Sequence, residues 1–381
     1  MSLRVINLVD SRRQINFGVW NAAIATSPAL RKLASIKSEL WFPRETKTAI
    51  PPEFHTQIDG FEEVASNSSF RRLLQSRMQG DLPLVVVSHG AWRDPTRWAA
   101  HAKSRGIPWI YTPHGMLKPW CMDQKWIRKA IYFRFFEKPM LQKCDVIRAV
   151  SLPEHRVLET LLPYKDVATI PNGIEMPPMT RKRAGGVIRF VFLSRLHKVK
   201  AVTELVTAFC RSSLRNNPQF ELIIAGPDAG EGPRIQQCIQ RTTTNNVSVL
   251  GAVYDDEKFE LLESSDFFVL PSYSEGFPTS VVEAMGRGCI PILSEGCSFP
   301  EAEPLTILAS PDVDSIELAL LKAAHLSSTA RQEWSESAAK FVRNCYTVDQ
   351  LAHRQIELLR RLTNMDLPIC PAVEVSQVNA G

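Results

Sequence analysis

The sequence predicts an α/β protein built as two parallel-sheet domains joined by a linker. Three observations lead there. Short apolar runs alternate with longer amphipathic segments, the pattern of repeated βα units. A stretch rich in proline and glycine divides those runs into two sets. The chain of 381 residues is also long for a single hydrophobic core.

In the first half the runs are RVINLV (4–9), LPLVVVSHG (82–90), IPWIYTPHG (107–115) and DVIRAVS (145–151). The dividing stretch, VATIPNGIEMPPMTRKRAGG (167–186), has the prolines, glycines and closing basic cluster of a linker. The second half holds IRFVFLSRL (188–196), FELIIAGP (220–227), VSVLGAV (247–253), FFVLPS (267–272) and CIPILSE (289–295). One domain is therefore expected over 1–175 and another over 176–345. VDQLAHRQIELLRRL (348–362) has the apolar spacing of an amphipathic helix, so a C-terminal helix is expected over 346–365 that could cross back to the first domain. From Asp366 to Gly381 the helical pattern lapses around Pro368 and Pro371, and a frayed, disordered tail is expected.

A hydrophobic content of 44% and a charged content of 22% describe an ordinary soluble globular chain. The net charge of +5 is too small to point to nucleic acid as a partner. Eight cysteines form no CxxC pair and no zinc-type spacing, which reads as reduced thiols in a cytoplasmic setting. The opening MSLRVINLVDSRR carries too short an apolar run for a signal peptide. No stretch reaches the roughly 18 uninterrupted apolar residues of a membrane-spanning helix.

In a doubly wound sheet, ligands gather at the carboxyl ends of the strands, so the residues just after the runs matter most. FVFLSRLHKVKAVTELVTAF (190–209) sets Arg195 and Lys200 between a strand and a helix. Two cations at a helix N-terminus suit a diphosphate, because backbone N–H groups and the helix dipole act in the same direction. A solvated basic turn is the other reading. After FFVLPS comes SEGFPTSVVEAMGRG (274–288), where Gly276 and Pro278 suit a tight loop and Thr279 or Ser280 can cap the next helix. Glu275 then lies in the loop and Glu283 in the helix, and carboxylates suit vicinal hydroxyls. Acids that merely complement a helix dipole explain Glu283 poorly. Among Val281, Val282, Ala284 and Met285, a carboxylate needs something to pair with it. His89 and His114 each close a strand run in the first half. No GxGxxG or Walker motif is present, and the one DxD, Asp312-Val313-Asp314, reads as a helix cap, so no metal or other cofactor is expected.

Together these segments resemble the retaining glycosyltransferases of family 4. Ser194-Arg195-Leu196 with Lys200, LIIAGP (222–227) and LGAVYDDEKFELLESSDFFVLPSYSEGFPTSVVEAMGRGCIPILSE (250–295) look like the donor-binding domain of that family, with the E-x7-E pair as its signature. TPHGMLKPW (112–120) and IPNGIE (170–175) carry the likeness into the first half, so that it covers residues from about 85 to 350. The resemblance implies the GT-B fold: two Rossmann-like domains facing across a cleft, the N-terminal one binding acceptor and the C-terminal one binding a nucleotide-sugar donor. It implies further that Arg195 and Lys200 bind the donor diphosphate and that Glu283 holds the ribose hydroxyls. Glu275 would touch the transferred sugar, helped by backbone N–H groups of Gly276, Phe277 and Thr279 around Pro278. Val253 and Tyr254 fall where the family contacts the nucleotide base, and His114 matches the histidine of its PHGML-type segment, beside donor sugar or acceptor hydroxyl. His114, Glu275, Arg195 and Lys200 are thus implied as the catalytic set. Two positions depart from the family. Ala201 stands where a glycine usually follows the lysine, which is costly if φ there is positive. The Gly-rich turn after the first strand is reduced, in QINFGVWN (14–21), to Gly18, taken as the close-approach residue for the donor phosphate.

The implied reaction moves a sugar, hexosyl in type, from a UDP- or GDP-linked donor to a hydroxyl of a glycan or lipid-linked acceptor, in cell-surface polysaccharide or O-antigen synthesis. Electrostatic stabilisation of the departing diphosphate by Arg195, Lys200 and the helix N-terminus is its main catalytic term. The rival reading is a non-catalytic nucleotide-sugar-binding subunit of the same fold. Finally, LKPWCMDQKWIRKAIYFRFFEKPMLQK (117–143) interleaves Lys118, Lys125, Arg128, Lys129, Arg134 and Lys138 with Trp120, Trp126, Tyr132, Phe133, Phe135 and Phe136. It reads either as an interfacial anchor on an anionic membrane surface or as a helix packing its aromatics on its own domain. The first reading sets the protein peripherally on the inner face of the plasma membrane.

Overall fold

The computed structural model describes residues 2–10, 17–44, 50, 52–123, 126–176 and 186–367. The chain forms two compact units. The first takes the chain up to Val150, residues 154–173 and the segment from Val348 onward; the second takes 174–347 with 151–153.

The first unit holds seven parallel strands: β1 (Arg4–Leu8), β2 (Lys37–Pro43), β3 (Gly60–Val64), β4 (Leu84–His89), β5 (Trp109–Thr112), β6 (Val146–Ala149) and β7 (Asp166–Thr169), in the order β3-β2-β1-β4-β5-β6-β7. The second holds β8 (Ile188–Leu193), β9 (Phe220–Ala225), β10 (Val247–Gly251), β11 (Phe267–Leu270), β12 (Ile290–Leu293) and β13 (Ile307–Leu308), in the order β10-β9-β8-β11-β12-β13. Both orders are doubly wound. The chain lays two strands to one side of the first, then crosses over and builds the other side. The order reverses between β1 and β4 in one unit and between β8 and β11 in the other. Helices cover both faces, so central strands such as LVVVSH and FFVL are buried throughout.

The linker reading is corrected at its opening. Asp166–Thr169 is the edge strand β7, and buried Arg148 donates from Nε to the carbonyl of Ile170 and from Nη2 to that of Pro171, tying down the chain that follows. Its basic cluster lies outside the described residues. The helix Val348–Thr363 belongs to the first unit: Ala352, Ile356 and Leu359 share a core with Leu3, Val5, Leu30 and Val85. Leu367, placed in a frayed tail by the sequence, is buried in that same core, and Arg360 donates to its carbonyl; residues 368–381 lie outside the described ones.

The basic aromatic segment is not one continuous helix. It runs as Pro119–Asp123, Trp126–Tyr132, a π turn at Phe133–Glu137 and Lys138–Leu141. Pro139 has no N–H to donate to the previous turn, and the backbone adapts by widening it, with Lys138 N bonded to the carbonyl of Phe133. Among the described residues no helix is long and apolar enough to cross a membrane.

Candidate functional site

In the second unit the candidate residues cluster beyond the carboxyl ends of β8 and β11, where the strand order reverses. Two loops meet there, joined by a backbone bond from Tyr273 N to Val199 O of 2.8 Å. The β8 loop carries Arg195, exposed and without an ion pair among the described residues, and Lys200, which is buried. The β11 loop carries Glu275. Its Oε1 accepts from Lys200 Nζ at 2.5 Å and from Ser272 Oγ at 2.6 Å, so carboxylate and ammonium form a nearly buried pair. Close packing sets this geometry. A Cβ at Gly296 would stand 2.2 Å from the Ser272 carbonyl, and Glu275 N bonds to the Gly296 carbonyl at 2.8 Å. Gly226 supports the other loop at φ +141, where a Cβ would stand 1.9 Å from the Ser194 carbonyl.

Glu283 sits in the helix Thr279–Gly286 and pairs with Lys258 Nζ at 2.9 Å. The partner that its apolar neighbours called for is therefore present, and the sequence reading missed it. Lys258 lies one turn into the helix Asp255–Glu263 that follows Tyr254, and its ammonium rests over the Phe259 ring at 4.6 Å. Tyr254 is half exposed, while Val253 packs on the core. Two details of the loop differ from expectation. The helix begins at Thr279 after a buried Pro278 with no side-chain cap, and Thr279 N is already bonded to the Phe277 carbonyl. Among the described residues the N–H groups of Gly276 and Phe277 make no backbone hydrogen bond, and the Phe277 ring is stacked against Tyr346 at 5.9 Å. Ala201 does adopt positive φ, +50, with its methyl fully buried, so this departure from the family carries backbone strain.

Asp312 caps the helix Val313–Ala324 by accepting from Ser315 N, as the sequence indicates, and Asp314 pairs with Arg211.

In the first unit a polar chain runs across the β1/β4 switch point. His114 follows β5 at φ +52, and its Nε2 lies 2.9 Å from Nδ1 of His89, the last residue of β4. His89 Nε2 lies 3.1 Å from Oδ1 of Asn7 on β1. Burial holds both imidazoles neutral with help from the Arg148 charge, His114 down to about 3 and His89 well below the usual range, where His114 adds to the effect. Buried Glu154 fixes the His114 turn by accepting from Gly115 N and Val150 N. Gly18 lies in the helix Phe17–Ile24 and not in a turn; it is exposed and a Cβ there would meet open space. Asn7, Arg148, Glu154 and Ser272 escaped the sequence reading. For Asn7 and Arg148 the available signal was a polar or charged residue inside an apolar strand run, RVINLV and DVIRAVS.

Comparisons with known proteins follow the same division. The family model described as Glycosyl transferases group 1 matches residues 181–341, and that described as Glycosyltransferase Family 4 matches 45–176. The chain is 24% identical over 263 residues to a phosphatidylinositol N-acetylglucosaminyltransferase subunit of Arabidopsis thaliana, covering 65% of this chain and 56% of that protein. It is 30% identical over 197 residues to the GDP-mannose:cellobiosyl-diphosphopolyprenol alpha-mannosyltransferase of Xanthomonas oryzae, covering 50% of each. It thus spans about half the length of these curated relatives. Anabaena HepE in complex with UDP and glucose superposes with a TM-score of 0.72 at 17% identity, over 94% of this chain and all of that one. Two Rossmann-like domains, the E-x7-E pair and the two family matches lead to one conclusion: the chain belongs to the family 4, group 1 glycosyltransferases and has the GT-B fold.

Proposed function

We propose that the chain transfers a hexosyl group, with retention, from a nucleotide diphosphate sugar to a hydroxyl of a glycan or lipid-linked acceptor. The observation that carries this reading is the pairing of both carboxylates of the E-x7-E motif with lysines, Glu275 with Lys200 and Glu283 with Lys258, in one unit. Exposed Arg195 and the N–H groups of Gly276 and Phe277 supply positive potential for a departing diphosphate. On this reading Glu275, beside its lysine, meets the sugar and Glu283 the ribose, with Tyr254 and Val253 toward the base. The reaction needs no nucleophile from the chain if the leaving phosphate helps deprotonate the acceptor on the same face. The named lipid-linked substrate of the Xanthomonas relative supports a polyprenol-linked acceptor and a place in surface polysaccharide or O-antigen assembly.

Thermal unfolding against UDP-, GDP- and ADP-sugars tests the donor site. A ligand at 100 times its dissociation constant stabilises the native state by about 2.7 kcal/mol. One nucleotide sugar should shift the wild type, and Glu283→Ala should lose most of that shift. An equal shift in both would remove Glu283 from the ribose. The rival, a binding protein without catalysis, draws support from the Arabidopsis relative, which is named as one subunit of its transferase. Binding without single-turnover transfer would favour it.

For the partner surface, Trp126, Ile127, Ile131, Phe135 and Phe136 are each more than half exposed, beside exposed Arg128 and Arg134. Phe133 alone of the segment's phenylalanines packs inward. This supports docking on an anionic bilayer at the cytoplasmic face over a helix packed on its own domain. Replacing Trp126, Phe135 and Phe136 by serine should abolish co-sedimentation with anionic vesicles; retained co-sedimentation would return the packed-helix reading.

A further inference from the structure

The polar chain Asn7–His89–His114 has a direction, set by one backbone carbonyl. Asn7 Nδ2 lies 3.4 Å from the carbonyl oxygen of Glu39 on β2, and that oxygen can only accept. The amide group of Asn7 therefore faces Glu39, and its Oδ1 faces His89; the reverse assignment would set two acceptors against each other. Oδ1 can only accept, so His89 carries its proton on Nε2. A neutral imidazole with Nε2–H has a lone pair on Nδ1. That lone pair faces His114 Nε2, which must donate to it. The proton of His114 is thereby assigned to Nε2 as well, and its Nδ1 is left as an acceptor.

We infer that Asn7 and His89 are positioning residues that lock His114 as the Nε2–H tautomer, so that its Nδ1 accepts a hydrogen bond from a ligand hydroxyl. His114 is only partly buried, and Nδ1 takes no partner among the described residues. Asn7 and His89 are both buried, which protects the relay from water. Burial and the nearby Arg148 guanidinium disfavour an imidazolium at either ring, and a second proton would be needed for Nδ1 to donate. The ligand group selected is a donor. A sugar hydroxyl fits; a phosphate oxygen, carbonyl or fluorine, which can only accept, does not. The link to a sugar rests on the glycosyltransferase reading above, whereas the tautomer lock stands on the geometry of the first unit alone.

The test is long-range proton–nitrogen NMR on the full chain, labelled with ¹⁵N-histidine and free of ligand, at neutral pH. His89 and His114 should both show a protonated Nε2 and a pyridine-type Nδ1. A protonated Nδ1 on His114, or an imidazolium, overturns the proposal even if no variant folds. Asn7→Leu should then free the relay and give His114 shifts averaged between the two tautomers, whereas a pure Nε2–H form in that variant overturns the role of Asn7. In a binding titration, a sugar nucleotide carrying fluorine in place of the contacted hydroxyl should bind about tenfold more weakly, the scale of one hydrogen bond. If no single fluorine substitution around the sugar weakens binding, His114 does not read a hydroxyl. If no nucleotide sugar binds while the Nε2–H spectrum is found, the lock is supported and the glycosyltransferase reading fails.

Discussion

Lys200 and Glu275 show how a motif can single out residues and still hide their geometry. The resemblance gives Lys200 to a diphosphate and Glu275 to a sugar, two separate partners. In the structure they hold each other, with only 10% of either side chain exposed. A pair this secluded is costly to break from one side, because the survivor keeps a buried charge. Glu275→Ala, which strands the ammonium, should cost about 3 kcal/mol in urea unfolding. Lys200→Met combined with Glu275→Leu should cost clearly less than the two single losses added together. A double-mutant cycle with no coupling would mean the pair is solvated and of little structural weight. In transfer assays each single variant should lose about 10²–10³ in rate, the scale of one lost contact to developing charge. Ala201, next in sequence, was the departure that the family resemblance could flag. Its positive φ is now observed, but the residue pattern could ask only whether φ was positive.

At the scale of single elements, the strands that the sequence exposed were the apolar ones. Nine runs such as LVVVSH and FFVL lie where the alternation places them, because central parallel strands are buried on both faces and read as continuous apolar stretches. β2 was missed although it is almost wholly buried. Its Glu39 looks like a surface residue in KSELWFP, yet it pairs with Arg4 and Arg77 and accepts from Trp41 Nε1. The edge strands β3 and β7, GFEEV and DVAT, are interrupted by acids and leave no apolar run to see. The segment around the π turn hides a similar residue. Glu137 is fully buried, its Oε1 accepting from Trp92 N at 3.1 Å and Thr96 Oγ at 3.0 Å, and its Oε2 has no partner among the described residues. Burial raises this carboxyl above its ordinary range against the lowering effect of its hydrogen bonds and Arg97. An acid raised in the folded state keeps its proton where the unfolded chain, at about 4.3, has lost it, so its contribution to stability falls as pH rises through that interval. Glu137→Gln removes the titration. The stability of wild type minus variant should therefore decline from acid toward neutral pH in paired melts. A difference flat with pH would mean that Glu137 is not desolvated as its burial indicates.

At the scale of the whole molecule, two copies of one winding order explain why the candidate residues gather at strand ends far apart in sequence. His89 closes β4, Arg195 and Lys200 follow β8, and Glu275 follows β11, each beside the point where its sheet changes direction. That much follows from the alternation of runs and helices. The return of the chain end, which the sequence offered as one course, is not dictated by its pattern, because an amphipathic stripe tells which face of a helix is apolar but not which core receives it. The helix Val348–Thr363 leaves the second unit and completes the first, where Ile356 and Leu359 fill the core beside β1 and β4 and Gln355 accepts from Thr26 Oγ1 at 2.9 Å. A chain ended at Thr347 should therefore fail in its first half. The strands Arg4–Leu8 and Leu84–His89 would expose one face to water, whereas the second unit keeps its own core around Phe190, Phe267 and Val282. Limited proteolysis of that truncated chain should digest the segment before residue 174 and leave a resistant fragment ending at Thr347. Ile356→Ala in the full chain offers a milder form of the same test and should lower stability by about 2–5 kcal/mol, the cost of emptying a packed site. Equal protease resistance of both halves after truncation would show that the first sheet holds its face without the returning helix, and that the helix is an accessory to a core already complete.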